Sequence, residues 1–280
     1  MTNIKLVTDS SIQMTPEEIA AYDIHVIPLT IMIDSTVYVD GETITRDEFM
    51  AKMAAASALP KTSQPAIGTF LDLYDELTAD GSEVLSIHML EAISGTVNSA
   101  RQAAELAHGK VTVIDSDFTD RAMAFQVIEA GKMIQAGKSV EEIVARLSAI
   151  RANTKLVLGV SNLENMIKGG RLSRVSGMMA TLLNIKVTLE VTGGELVARQ
   201  KGRGMKTIHR FVDDVVAQMA ALTNIQVIGV SYAGGLELAT GVADQIKAAL
   251  PNVPLMLRPT DPVIATHTGD GAFAITWFVD

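Results

Sequence analysis

Residues 83–135 read EVLSIHMLEAISGTVNSARQAAELAHGKVTVIDSDFTDRAMAFQVIEAGKMIQ, and this stretch decides the fold. Glu83 to Ile87 and Val111 to Ile114 are short apolar runs of strand length. Thr96 to Ala107 and Asp120 to about Gln135 carry apolar residues at helical spacing. Strand, helix, strand and helix in that order predict a parallel sheet with helices on its faces. Working outward, Ile4 to Val7 reads as a strand and Pro16 to Tyr22 as a short helix capped by Thr15. Residues 26–40 read as a small hairpin, followed by helices Arg46 to Ala56 and Ile67 to Leu77. On the other side Lys138-Ser139-Val140-Glu141-Glu142 opens an amphipathic helix to about Ile150, and Leu156 to Val160 starts a fresh strand. A boundary is therefore expected here, giving an N-terminal α/β domain over 1–152 and a C-terminal α/β domain over 153–280. The second half alternates again. Strands Lys186 to Val191 and Leu196 to Arg199 flank the turn Thr192-Gly193-Gly194. A helix Met205 to Ala221, strand Ile225 to Val230, helix Leu236 to Leu250 and strands Leu255 to Arg258 and Ala272 to Phe278 predict a mixed sheet.

Composition narrows the partners. With 280 residues and 48% apolar side chains the chain has ample material for packed cores, which excludes intrinsic disorder. A formal charge of -9, with Lys and Arg scattered singly, offers no basic stripe for nucleic acid. The absence of cysteine removes disulfides, thiolate nucleophiles and cysteine-ligated zinc. The N-terminal run Ile4-Lys5-Leu6-Val7 is too short for a secretion signal. Apolar stretches such as Leu156 to Val160 and Met178 to Ile185 fall far short of the ~20 residues that span a bilayer. A cytoplasmic protein without a transmembrane segment is expected. Fourteen methionines against twelve aromatics give an adaptable apolar inventory.

In open parallel sheets ligands bind at the carboxyl ends of the strands. The loops there share one chemistry: Thr8-Asp9-Ser10-Ser11, Ser94-Gly95-Thr96 and Asp115-Ser116, with Thr62-Ser63-Gln64-Pro65 expected to cap a helix. Hydroxyls and helix N-terminal N–H groups suit an anion. They are also ordinary helix caps, so four such loops only point to an anion site.

Catalytic patterns fit less well. Gly229-Val230-Ser231-Tyr232-Ala233 resembles a nucleophile elbow, with Asp261 and His267 following in hydrolase order, so a serine esterase using Ser231 and His267 is the alternative reading. Asp261 and His267 are close in sequence where separate loops are normally needed, and no His-Gly-Gly oxyanion loop is present. The simpler expectation is that Ser231 caps a helix. Gly202-Arg203-Gly204-Met205-Lys206-Thr207 has Met where a phosphate loop needs Gly. The five histidines have no metal-ligand spacing, so neither a metal nor a cofactor is expected.

Seven segments nevertheless recur in a recognisable order: Thr8-Asp9-Ser10-Ser11, Thr62-Ser63-Gln64-Pro65, Ser94-Gly95-Thr96, Ile114-Asp115-Ser116, Lys168-Gly169-Gly170-Arg171, Gly202-Arg203-Gly204 and His267-Thr268-Gly269. On these the chain resembles the DegV family, which includes the fatty-acid-binding subunits (FakB) of bacterial fatty acid kinase. The resemblance implies two α/β domains with one long-chain fatty acid buried between them and no catalytic turnover by this chain. It implies a carboxylate held by Thr62, Ser63, Ser94, the Gly95 backbone and His267, with Arg203 nearby. Arg171 and Arg203, each placed by neighbouring loop glycines in an otherwise acidic chain, are expected to flank the pocket mouth for a partner or a phosphoryl group. The implied partner is an ATP-binding fatty acid kinase subunit that makes acyl phosphate for phospholipid metabolism; brief membrane contact is compatible with this. The chain departs from the family pattern at Leu90-Glu91, where serines are usual, and at Gly269-Asp270-Gly271. A Glu91 facing the site would repel a carboxylate.

Overall fold

The computed structural model describes residues 3–178 and 185–280, so most of the apolar stretch Met178 to Ile185 lies outside the described residues. In the first half the order is β1 (Ile4–Asp9), α1 (Pro16–Ala21), β2 (Ile24–Ile27), β3 (Thr30–Ile33), β4 (Thr36–Val39), α2 (Arg46–Ala55), β5 (Lys61–Ser63), α3 (Ile67–Thr78), β6 (Glu83–His88), α4 (Thr96–Leu106), β7 (Val111–Asp115), α5 (Asp120–Gln135) and α6 (Val140–Asn153). The second half continues with β8 (Thr154–Val160), α7 (Glu164–Lys168), β9 (Val175–Ser176), β10 (Lys186–Thr192), β11 (Glu195–Gly202), α8 (Met205–Ala220), β12 (Ile225–Ala233), α9 (Leu236–Ala249), β13 (Leu255–Pro259), α10 (Pro262–Thr268) and β14 (Ala272–Val279).

Strands in the order β2-β1-β6-β7 form an all-parallel sheet. Period-two alternation sends Val7 and Val84 to a core with Phe70, Tyr74 and Ala100 of α3 and α4. Leu6, Leu85 and Ile87 face the core shared with α5 and α6. The second sheet, β13-β12-β14-β8-β10-β11-β9, is mixed: its central strands run antiparallel and its outer pairs parallel. Helices α8 and α9 cover one face through Ile208, Phe211, Val215 and Ile246, and α5 packs the other face against the first sheet. The α/β architecture with a parallel N-terminal sheet and a mixed C-terminal sheet is as expected.

Local sequence explains the helix starts. Thr15 with Glu18, Thr45 with Glu48 and Ser139 with Glu142 each close a reciprocal capping box, satisfying two orphan N–H groups apiece. Several elements differ from the sequence reading, among them the short α7 and β9. The expected hairpin over 26–40 is interrupted at Pro28, so β2 joins the parallel sheet while β3 and β4 pair in a separate antiparallel sheet with β5. Residues 62 and 63 belong to β5 and do not cap a helix; α3 starts after Ala66 with no side-chain cap. Helix α10 was not anticipated, although Asp261 caps it and Pro262 occupies its first turn.

Candidate functional site

A cavity of about 340 Å³ lies where β5, the loop from β6 to α4, the loop after α7 and helix α10 meet. Eleven apolar residues among those described line it, including Leu29, Leu90, Leu156, Leu158, Val191 and Leu196. Its polar wall gathers Thr62, Ser63, Gln64, Ser94, Gly95, Arg171 and His267. Among the described residues no Asp or Glu lines it. Every carboxylate-binding residue expected from the sequence therefore meets here, together with Arg171.

The geometry of that wall follows from its supports. Thr62 Oγ1 and His267 Nε2 are 2.9 Å apart, joining β5 to α10 across most of the chain. Burial, and then the Arg171 charge, pushes the His267 pKa down to about 4, so the ring is neutral near pH 7. Its Nδ1 is buried without a hydrogen-bond partner and rests against Gly169, where any Cβ would collide with the ring. On the facing side α4 begins at Gly95 with no side-chain cap, leaving first-turn N–H groups and the positive end of the helix dipole at the cavity. A Cβ at Gly95 would strike Gln64, whose amide donates to Ser99 Oγ at 2.7 Å. Ser94 Oγ lies 2.8 Å from Thr96 Oγ1 and accepts from the Thr96 N–H at 3.3 Å.

Arg171 ties the two loops together. Its Nε donates to the Ile93 carbonyl at 3.3 Å and its Nη1 to the Gly169 carbonyl at 2.8 Å. It also lines an outer polar cleft with Glu91, Asn98 and Arg174. Half-burial pushes its pKa downward, helped by Arg174. Arg203, in contrast, is exposed and is not among the residues lining the cavity or that cleft. Glu91 turns outward: its carboxylate accepts from Arg101 Nη1 at 2.6 Å and Asn98 Nδ2 at 2.9 Å. Asp270 is exposed as well.

The esterase constellation does not assemble. Ser231 lies within β12 and is neither a helix cap nor an exposed elbow; its Oγ donates to Asp120 Oδ1 at 2.5 Å. Asp261 accepts from the Ile264 N–H as the cap of α10, while the His267 Nε2 is engaged by Thr62. Sequence reasoning did not reach the α10 residues Val263, Ile264 and Thr268 that line the cavity, though Asp261-Pro262 was a legible helix start.

Among the described residues no helix is long and apolar enough to cross a membrane, and no group of His, Asp and Glu is arranged to hold a metal. The chain is 46% identical over 276 residues to a DegV domain-containing protein of Streptococcus pyogenes serotype M6, covering 98% of each chain. It is 45% identical over 283 residues to one of Listeria innocua, covering all of both. Among solved structures it resembles DegV of Bacillus subtilis, described as a fatty acid binding protein, with a TM-score of 0.91 at 29% identity over the whole of both chains. It also resembles a fatty acid binding DegV family protein of Streptococcus agalactiae, with a TM-score of 0.90 at 26% identity, again over the whole of both. The sequence pattern of the DegV family, described as an uncharacterised protein family, matches residues 3–280, and the chain belongs to that family.

Proposed function

We propose that this protein buries a long-chain fatty acid in the cavity between its halves and presents the carboxylate to an ATP-dependent fatty acid kinase subunit, which forms the acyl phosphate. One observation carries the reading: a largely apolar cavity brings together hydroxyls, helix N–H groups, a neutral imidazole and one guanidinium, with no carboxylate among the described residues that line it. Such a cavity is complementary to an alkyl chain ending in an anion. Thr62, Ser63 and Ser94 donate from their hydroxyls and Gly95 from the start of α4. His267, protonated at Nε2, donates to Thr62 Oγ1 and so leaves the Thr62 hydroxyl hydrogen for the ligand. The segments 1–152 and 153–280 act as the two units that enclose the chain. The protein itself performs no turnover, and the setting is the cytoplasm, where a kinase has ATP.

Arg171 stands between the cavity and the outer cleft, which suits contact with the partner or the transferred phosphoryl group. Arg203 has the weaker case, as a partner contact only, because it is exposed and away from the lining. The test is extraction of the purified protein with organic solvent followed by mass spectrometry, then acyl phosphate formation with a fatty acid kinase subunit. Fatty acid in the extract and loss of acyl phosphate formation in Arg171→Ala are expected. A protein that yields no fatty acid and binds none when it is supplied contradicts the proposal.

A further inference from the structure

Behind the main cavity lies a second, smaller chamber of about 50 Å³, and the two share Thr119, Leu156, Leu158, Ile264 and Thr268 as walls. Its far wall comes from β12 and β14, where Ala233 pairs with Ala272 and Ser231 with Ala274. These cross-strand partners share one face of the sheet. Three of the hydroxyls nearby are already spent. Ser231 Oγ donates to Asp120 Oδ1 and Thr260 Oγ1 to Asp120 Oδ2, each at 2.5 Å, and Thr268 Oγ1 donates to the Ile264 carbonyl at 3.0 Å. What these groups offer the chamber is carbon, so a wall built partly from polar residues is apolar in effect.

We infer that this chamber receives the methyl end of the acyl chain and that Ala274, with Ile264 at the neck, sets the longest chain the protein holds well. The inference rests on the fatty-acid reading above and adds to it a limit on chain length. The same short helix then serves both ends of the ligand: α10 places His267 at the carboxylate and Ile264 and Thr268 at the neck. A chamber of about 50 Å³ has room for roughly three to four carbon-sized groups, and Ala274→Leu adds three carbons to its wall.

The test measures dissociation constants for saturated fatty acids of increasing length with the parent protein, Ala274→Leu and Ile264→Ala. For the parent, affinity rises about fourfold per added methylene until the chamber is full. In Ala274→Leu the rise stops about two to four carbons earlier, lowering the ratio of long-chain to short-chain affinity by at least tenfold. In Ile264→Ala, which widens the neck, the rise extends to longer chains. If the parent binds the acids and both variants keep its length profile, the chamber assignment fails while the fatty-acid reading stands. If the parent binds no acid of any length, the fatty-acid reading itself fails.

Discussion

Around Asp120, two hydroxyls from the second half, Ser231 and Thr260, close on a buried carboxylate that the chain itself provides. Around Thr62, Ser63 and Ser94, hydroxyls converge just as densely and no carboxylate lies among the described residues lining the cavity. Both regions are drawn from strand ends and helix starts, and both use Ser and Thr. The first is complete in itself: Asp120 also accepts from the Arg121 N–H at 2.6 Å and its own N–H donates to the Ser11 carbonyl at 3.1 Å, while the Ser231 and Thr260 bonds tie the two halves together. The second is incomplete: hydroxyls, the start of α4 without a side-chain cap from Gly95, and a half-buried guanidinium face the cavity and meet no carboxylate among the described residues lining it. The difference separates structural hydroxyls from binding ones, since a buried donor without an acceptor is costly unless something arrives to accept from it.

The largest effect expected from this contrast is on stability. Asp120→Ala strands the Ser231 and Thr260 hydroxyls in the core, and two hydrogen bonds to a charged group make the loss about 3–5 kcal/mol. Urea unfolding measures it; a loss below about 1 kcal/mol would break the comparison. Asp120 also holds a φ of +57°, a left-handed conformation that a non-glycine residue keeps only where its surroundings enforce it.

A pH experiment sharpens the second region. The folded pKa of His267 is about 4 against 6.5 unfolded, so between those values the unfolded chain takes up a proton that the folded protein refuses. Ligand-free stability attributable to this residue is full above 6.5 and falls as pH drops toward 4, by an amount on the order of 3 kcal/mol. Asp40 works in the opposite direction. Burial raises its pKa to about 6 from 3.8, so the folded protein keeps a proton the unfolded chain has released, and stability grows as pH falls from 6 toward 4. His267→Asn should therefore leave a protein that gains stability on acidification through pH 6, and Asp40→Asn one that loses it more steeply. Melting curves in which neither substitution changes the slope against pH would refute both assignments.

Smaller effects separate affinity from stability. Ser94→Ala and Thr62→Val each remove a bond of roughly 1.5–3 kcal/mol to a charged ligand, which is about a tenfold to hundredfold weaker dissociation constant, with under about 1 kcal/mol change in the ligand-free protein. Ser231→Ala should do the reverse: about 1.5 kcal/mol of stability lost and fatty-acid affinity little altered. Hydrolysis of an activated ester that disappeared in Ser231→Ala would overturn the structural role given to that residue.

Much of this was legible in the sequence, for identifiable reasons. The strands from Glu83 and Val111 stand out because each is a mainly apolar run followed by a helix of three or more turns, and the strand from Ile4 because a mainly apolar run is followed by a capped helix start at Thr15. The capped helices announce themselves through Thr15, Thr45 and Ser139 with a Glu three residues on. The polar wall of the cavity was reachable through segments in family order. What sequence did not yield were short elements whose existence depends on tertiary pairing: β5 has three residues and α10 seven, too few for a period to register. Ser231 misled because a strand continuing to Ala233 and a strand ending at Val230 look alike in sequence, and only the Asp120 contact tells them apart. The exposed position of Arg203 was likewise hidden, since loop glycines fix where a chain can turn and not what the turn faces.

The central claim is that the Thr62, Ser94 and His267 wall awaits a fatty-acid carboxylate. Titration of delipidated protein with a long-chain fatty acid, and in parallel with the corresponding alcohol, tests it most directly. One equivalent of acid should bind, the alcohol should bind at least tenfold more weakly, and Ser94→Ala should erase most of that preference. Equal affinity for acid and alcohol, or a preference unchanged by Ser94→Ala, would contradict the account.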